Sequence, residues 1–299
     1  MHVGITGASG LIGTALTQHL RQHDHQVSAL VRRTAGTHEI EWDPSGGRLD
    51  PAAIEPLDAV VHLAGAGIGD HRWTEEYKQT ILDSRVDGTT LLANTLASLG
   101  SDGPRVLLSG SAIGFYGDRD DETVDERSVG GTGFLPEVCR QWEAATAPAE
   151  AAGVRVAHLR TGIVLSSQGG ALKKMLPLFK FGVGGKFGSG EQWMSWISID
   201  DEVRAISHLL TADREGPVNL TAPNPVRNAE FVDTLGDVLN RPSFVPVPKF
   251  GPKLLLGPEL AEALLFDSQR VEPAVLLAEE DFAFAHPDLT SALRSALDR

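Results

Sequence analysis

The sequence predicts an α/β chain: a doubly wound parallel sheet with a smaller, mostly helical C-terminal cap. Three observations carry that reading. Short apolar runs alternate with helical stretches through the first half, a glycine-rich turn at Thr6–Gly13 follows the first run, and the alternation stops after Val164. Strands that alternate with helices form a parallel sheet covered on both faces.

The elements follow in order. His2–Thr6 reads as a strand. Leu11–Gln22 reads as a helix, with apolar residues at 11, 12, 15, 16 and 20. Gln26–Val31 and Ala59–Leu63 are further strands, and Thr89–Ser98 is helical. Arg105–Ser109, Pro136–Ala152 and Arg155–Leu159 continue as strand, helix, strand. Beyond Val164, Gly169–Gly190 is rich in glycine and lysine and has no sheet pattern. Ser195–Ile199 reads as a strand, with a helix starting at Asp200 or Asp201, and Pro217–Leu220 as one more short strand. From Pro223 onward, prolines punctuate two or three short helices. The expected division is a nucleotide-binding domain of residues 1–164 and 195–222, and a cap of 165–194 and 223–299 that packs directly on the sheet.

The chain has 299 residues, enough to bury most of its apolar surface without a metal or a disulfide. Lys plus Arg is 26 and Asp plus Glu is 40, a net charge of −14. That charge repels polyanions, so neither nucleic acid nor an anionic membrane is an expected partner. The single cysteine, Cys139, excludes an internal disulfide framework and cysteine zinc sites. The histidines show no metal-ligand spacing, so no metal is expected. The N-terminus has no secretory pattern, and no apolar run approaches the roughly 18 residues of a membrane span. The expected location is the cytoplasm, the expected partner a small-molecule substrate, and the oligomeric state a monomer or a homodimer.

Thr6-Gly7-Ala8-Ser9-Gly10-Leu11-Ile12-Gly13 sits between a strand and a helix, the context of a dinucleotide site. Gly7 permits the tight turn, Gly10 lets the backbone approach a pyrophosphate, and Gly13 lets helix and strand pack closely. The spacing is G-x-x-G-x-x-G. The N–H groups that open the helix face the phosphates, so Thr6, Gly7, Ser9, Gly10, Leu11, Ile12 and Gly13 are the expected cofactor contacts. The second strand ends Val31-Arg32-Arg33, where an NAD site usually has an acid for the ribose 2′-hydroxyl. Arginines there bind a 2′-phosphate through charge-assisted forks, so the expected cofactor is NADP(H).

From these residues a resemblance emerges. Thr6–Gly13 resembles the glycine motif of extended short-chain dehydrogenases/reductases. Asp58–Gly65 resembles their strand whose end lies against the adenosine half of the cofactor, which implies contacts from Leu63, Ala64 and Gly65. Arg85-Val86-Asp87-Gly88-Thr89 resembles their N-V-x-G-T segment, with Arg where the asparagine usually stands. Within that superfamily the chain is similar to an atypical branch, the YfcH-like proteins of the NAD(P)-dependent epimerase/dehydratase family. The similarity runs through Ser109–Gly117, Trp142-Glu143, Leu159–Leu165, Gly169-Gly170, Gly182–Gly185, Gly188–Gly190, Gly216–Asn219, Ser268–Val271 and Phe282–Phe284. It implies a Rossmann domain with a substrate cap, and cofactor contacts from Ser109, Arg160, Gly162 and Val164.

The superfamily's chemistry rests on Y-x-x-x-K, and neither Tyr77 nor Tyr116 completes that motif. Counting back from Arg155–Leu159 puts the lysine position near Trp142 or Glu143 and the tyrosine position near Val138 or Cys139. The candidate proton carriers are therefore Ser111, which matches the superfamily's active-site serine, then Tyr116, Cys139 and Glu143. Each has a structural reading as well: a turn hydroxyl, a loop-packing tyrosine, a small buried thiol, and a carboxylate paired with an arginine. Arg85 and Lys186 are the expected substrate contacts, with Lys173–Lys186 either a clamp for an acidic substrate or a solvated cap edge. The expected activity is NADPH-dependent reduction of activated carbonyls or quinones. A non-catalytic NADP(H)-sensing protein and a nucleotide-sugar epimerase/dehydratase are the alternatives.

Overall fold

A computed structural model describes residues 1–243 and 247–298; of the predicted cap range, residues 244–246 and 299 lie outside that description. The strands in chain order are β1 (His2–Thr6), β2 (Gln26–Val31), β3 (Glu39–Asp43), β4 (Arg48–Leu49), β5 (Ala59–His62), β6 (Val106–Ala112), β7 (Thr123–Val124), β8 (Arg155–Thr161), β9 (Ile163–Leu165), β10 (Trp193–Met194), β11 (Trp196–Ser198), β12 (Gly216–Leu220), β13 (Val226–Arg227) and β14 (Arg270–Val271). The helices are α1 (Leu11–Gln22), α2 (Pro51–Ile54), α3 (Glu75–Leu99), α4 (Phe134–Ala144), α5 (Ala147–Ala151), α6 (Gly170–Lys180), α7 (Ile199–Leu209), α8 (Asn228–Leu239), α9 (Phe250–Leu256), α10 (Pro258–Ala261), α11 (Ala274–Leu277) and α12 (Leu289–Ala296).

Eight strands form one sheet in the order β12-β8-β6-β5-β1-β2-β3-β4. All its neighbours pair in parallel except β3 and β4. The strands are apolar on both faces, as a covered parallel sheet requires. Val3, Ile5, Ala59, Val61 and Leu108 face one layer, with Leu16 and Leu20 of α1 and Ile206 of α7. Val60 and Leu107 face the other, with Leu92, Ala93 and Leu96 of α3. The alternation is the period of two that the strand backbone imposes. The mixed α/β architecture with its large parallel sheet is the one the sequence predicts.

Several elements differ from expectation for physical reasons. Helix α3 begins at Glu75, not Thr89, because its start is set by polar signals: Thr74 accepts from Tyr77 N–H, and Glu75 and Glu76 occupy the first turn. The single helix predicted over Pro136–Ala152 is two. Pro148, in the first turn of α5, has no N–H to continue α4. Thr146 Oγ1 fills the break by donating to Glu143 O at 2.7 Å. Gly170–Lys180 of the irregular stretch is helical, and its apolar stripe of Leu172, Leu176 and Phe179 meets Phe231 and Leu235 of α8 to form the cap core.

The late strand β11 pairs with β9 outside the main sheet, and Ser198 caps α7 one residue earlier than Asp200 suggested. The segment 270–286, expected in the cap, returns to the sheet. Leu276 is fully buried in the sheet core, and Phe282 and Phe284 pack on the same cluster. Buried Asp201 fixes it by accepting from Ala285 N–H at 2.6 Å and His286 N–H at 2.9 Å. Among the described residues, no helix is long and apolar enough to cross a membrane.

Candidate active site

The chain runs from β1 to β2 and β3 on one side, and from β5 to β6, β8 and β12 on the other. The carboxyl ends of β1 and β5 therefore flank a topological switch point, where open α/β sheets take their ligands. Thr6 ends β1 and His62 ends β5. Leu63 and Ala64 N–H donate to Thr6 Oγ1 at 3.1 and 3.2 Å, and that hydroxyl lies 2.6 Å from His62 Nδ1. With its lone pairs taken, the hydroxyl donates to Nδ1, so the neutral ring carries its hydrogen on Nε2. Burial lowers the His62 pKa to about 3, which keeps the ring neutral. Thr6 was expected to bind cofactor; its side chain is instead the tie that joins two strand ends.

The glycines of the turn divide by function. Gly7 has φ +67°, and a Cβ there would lie 2.9 Å from the Leu63 carbonyl carbon. A Cβ at Gly13 would lie 2.2 Å from Gly7 O. Both positions are closed by backbone. A Cβ at Gly10 would meet only Gly7 O, at 3.2 Å, so its outer side is open. Gly10 caps α1 without a side-chain hydrogen bond. The N–H groups of Leu11, Ile12 and Gly13 have no partner among the described residues, and Ser9 is exposed beside them. Open donors at a helix N-terminus fit a pyrophosphate. The cap closes over this turn: the backbone of Gly169 runs close enough to Leu11 that a Cβ there would lie 3.2 Å from its side chain.

The two arginines after β2 are not equivalent. Arg33 makes a bidentate pair with Glu39, at 2.6 and 2.7 Å. Arg32 is exposed and makes no hydrogen bond or ion pair among the described residues. Arg32 is thus the free guanidinium. Glu39, which the sequence reading missed, lies on β3 and neutralises its neighbour. The i, i+6 separation of Arg33 and Glu39 carries no helix or strand signal that would have revealed it.

At the carboxyl end of β6, Ser111 Oγ donates to Glu143 Oε1 at 2.7 Å. Arg160 donates to both Glu143 oxygens at 2.8 Å. Burial raises the Glu143 pKa, but the Arg160 fork and the Ser111 hydroxyl outweigh it and hold the carboxyl below its usual value. Arg160 also donates to Tyr116 Oη at 3.1 Å and stacks 3.5 Å over the Phe115 ring. Tyr116 Oη donates to Asn219 Oδ1 at 2.8 Å.

Several expected roles change here. Tyr116 is fully buried and its hydroxyl is used on both sides, so it does not meet a substrate. Arg160 is 4% exposed and committed to Glu143 and Tyr116, so its side chain is not a cofactor contact. Ser109 is fully buried within the sheet, so its side chain has no surface open to a cofactor. Gly162 serves packing, since a Cβ there would lie 2.8 Å from Ser195 O, and Val164 pairs with Ile197 between β9 and β11. Cys139 is buried against Ala112 O, and burial pushes its thiol pKa up to about 12.

The expected substrate residues separate. Arg85 of α3 reaches the loop after β5. Its Nη1 donates to Ala66 O and Ile81 O at 3.0 Å, and a Cβ on Gly65 would lie 3.2 Å from its Cζ. Lys186 is exposed on the far cap segment, where the Val247 N–H binds its carbonyl. The cap lysine that crosses to the loop is Lys174, whose Nζ donates to Gly69 O at 3.4 Å. The Lys173–Lys186 stretch contained this residue, but spacing alone did not single it out. Beyond Ala112 lies a cavity of about 210 Å³ lined by Gly114, Gly117, Trp73, Phe134, Glu262 and Asp267. Its C-terminal wall is remote in sequence and carries no motif, so the sequence reading did not find it.

Comparison with known proteins agrees with this geometry. The model of the NAD dependent epimerase/dehydratase family matches residues 3–221, and that of a domain of unknown function (DUF1731) matches 247–296. An epimerase family protein of Mycobacterium bovis is 44% identical over 99% of this chain and 98% of its own. The chloroplastic SDR39U1 homolog of Arabidopsis thaliana is 38% identical over 99% of this chain and 87% of its own. The crystal structure of human epimerase family protein SDR39U1 with NADPH superposes with a TM-score of 0.91 at 33% identity, covering 100% of this chain and 99% of that one. A motif match at the turn, a family match across the sheet and relatives that span the whole chain lead to one conclusion: the chain belongs to the NAD-dependent epimerase/dehydratase family.

Proposed function

We propose that the chain is an NADPH-dependent reductase of activated carbonyls or quinones. The observation that carries this reading is the donor set beside β6. Tyr116 is buried, the Cys139 thiol has a pKa of about 12, and Glu143 is held as an anion by Arg160. Of the four candidate proton carriers Ser111 remains, and its proton points at Glu143. Candidates this weak as acids suit a carbonyl that needs little protonation, where positioning removes several kcal/mol of barrier.

The residues fit NADPH. Bound NADPH supplies a hydride. The open backbone at Gly10 and the free N–H groups of Leu11, Ile12 and Gly13 would hold its phosphates, and Arg32 would hold the 2′-phosphate. The NADPH in the human relative's structure supports the same choice. Ser111 returns a proton from water to the product oxygen, with Glu143 orienting the hydroxyl. A nucleotide-sugar epimerase or dehydratase needs a base of suitable pKa to take and return the substrate proton. A thiol near 12 and a carboxylate locked in an arginine fork do not supply one.

The test is purified protein assayed for bound nucleotide, then for NADPH oxidation against quinones, diketones and aldehydes. Turnover of at least one electron-poor carbonyl is expected. Tight NADPH binding with no turnover across the panel would replace this reading with an NADP(H)-sensing role, and tightly held NAD⁺ would favour the epimerase.

A further inference from the structure

The motif lysine that this chain lacks is a cation beside the reacting oxygen. Its position by count is Trp142 or Glu143, and α4 carries a tryptophan and an anion there. A cation nevertheless stands at that place. Arg85 reaches over from α3 and holds its Cζ 4.9 Å from the centre of the Trp142 ring. Its charge also acts on Cys139, the residue at the vacant tyrosine position, and draws that thiol's pKa down against the effect of burial.

The hydrogen bonds of Arg85 are incomplete. Nη1 donates to Ala66 O and Ile81 O, both neutral carbonyls, and these fix the guanidinium at the loop after β5. Nε and Nη2 have no partner among the described residues, and no carboxylate there forms an ion pair with Arg85. Neighbouring Arg160, by contrast, is neutralised by Glu143. Burial pulls the Arg85 pKa down, and only Cys139 and Tyr77 act against it. A half-buried cation without an ion-pair partner among the described residues, with donors free beside the loop that leaves the carboxyl end of β5, is arranged for an anion that arrives with the ligand.

We propose that Arg85 is the oxyanion-binding residue of the substrate crevice, its free Nε and Nη2 receiving negative charge where the family's motif lysine would stand. This rests on the reductase reading. Hydride addition to the carbonyl carbon breaks the C=O π bond and sends its electron pair to oxygen. Arg85 holds that oxygen until water, through Ser111, protonates it. A carboxylate fixed beside the carbonyl would use the same donors. The two sources differ in kinetics, because charge that forms during reaction affects kcat and charge present beforehand affects KM.

The experiment titrates oxalate, a planar dianion, into the NADP⁺-saturated full chain by calorimetry, for wild type, Arg85→Gln and Arg85→Lys. Each variant's NADPH affinity and thermal midpoint are measured alongside. Oxalate binding is expected in wild type, weakened at least tenfold in Arg85→Gln and partly restored in Arg85→Lys, whose point charge lacks the planar fork. If Arg85→Gln does not fold, the weaker oxalate binding of Arg85→Lys carries the comparison. NADPH affinity should stay within twofold throughout. Steady-state assays then separate the sources: a lower kcat with neutral phenanthrenequinone marks the nascent oxyanion, and a higher KM with phenylglyoxylate marks a fixed carboxylate. The proposal is overturned if wild type does not bind oxalate, or if the Arg85 variants bind it as wild type does. It is also overturned if NADPH affinity falls in step with oxalate affinity, which would assign Arg85 to the cofactor. Wild-type protein that binds oxalate through Arg85 yet reduces nothing in the panel overturns the reductase reading and leaves the oxyanion site standing.

Discussion

Ser111 and Glu143 share one proton contact of 2.7 Å, and its direction limits what the site can do. The serine donates and the carboxylate accepts, because Arg160 keeps the carboxylate ionised. Ser111 must break that contact to give a proton elsewhere. Ser111→Ala should therefore lower turnover by roughly tenfold, less than the hundredfold or more that direct general acids contribute. Steady-state NADPH oxidation measures it. A loss of a thousandfold would make Ser111 the acid itself.

Tyr116→Phe should leave turnover near wild type, because its hydroxyl faces Asn219 and Arg160 and not the crevice. It should instead cost stability. Removing the hydroxyl leaves two buried groups unpaired, at about 1–3 kcal/mol for such a loss. Urea midpoints report the cost. A stable but inactive Tyr116→Phe would return the phenol to catalysis.

Arg32→Ala should weaken NADPH binding by roughly tenfold to a hundredfold, the effect of about 1.5–3 kcal/mol for a charge-assisted bond, and leave NADH binding nearly unchanged. Arg33→Ala should do less, because Glu39 already neutralises that guanidinium through two hydrogen bonds. Calorimetric titration of both cofactors decides it. Equal losses in the two variants would show that Arg33 leaves Glu39 when the phosphate arrives.

Gly10→Val should fold and fail to bind NADPH, since a Cβ there meets only Gly7 O at 3.2 Å and the bulk points into the open cradle. Gly13→Ala should be the reverse in origin. Its Cβ would sit 2.2 Å from Gly7 O, so the turn itself must shift and the protein loses stability before it loses ligand. Thermal melts and NADPH titrations of both separate the two. Uptake of NADPH by Gly10→Val at wild-type affinity would move the phosphates elsewhere.

The sheet was legible because its signals are local. The strands His2–Thr6 and Gln26–Val31 and the helix Leu11–Gln22 coincide with the observed elements, since apolar runs and a 3.6-residue stripe act over short distances. The glycine turn was legible for the same reason. The first half of α3 was not, because Glu75–Gly88 is capped and charged rather than striped. The roles of Tyr116 and Arg160 were not legible either. Each is decided by residues on separate elements, Asn219 on β12 and Glu143 on α4, whose meeting only the fold creates. Arg85 lies between these cases: the resemblance of Arg85–Thr89 to the N-V-x-G-T segment pointed to it, while its stacking on Trp142 of α4 was not legible.

Glu202 of α7 should make the protein less stable as pH rises. It is fully buried, Thr161 Oγ1 donates to its Oε1 at 2.9 Å, and Oε2 has no partner among the described residues. Burial raises its pKa from 4.5 to about 8. Between those values the unfolded chain releases a proton that the folded chain keeps, so stability falls as pH rises through that window. His62 acts in the opposite sense. Its pKa drops from 6.5 to about 3, so below 6.5 the unfolded chain takes up a proton that the folded chain cannot, and stability falls as pH falls. Between 4.5 and 6.5 the contributions of these two groups oppose each other. Glu202→Gln keeps an oxygen for Thr161 and cannot ionise. It should match wild type near pH 4.5, gain on it steadily above that, and lead by roughly a few kcal/mol at pH 8, since each pKa unit corresponds to about 1.4 kcal/mol. The acid side of the profile, set by His62, should not move. Urea midpoints at about pH 4.5, 6 and 8 test the difference, and a gap between variant and wild type that is constant with pH would show that Glu202 does not titrate on unfolding.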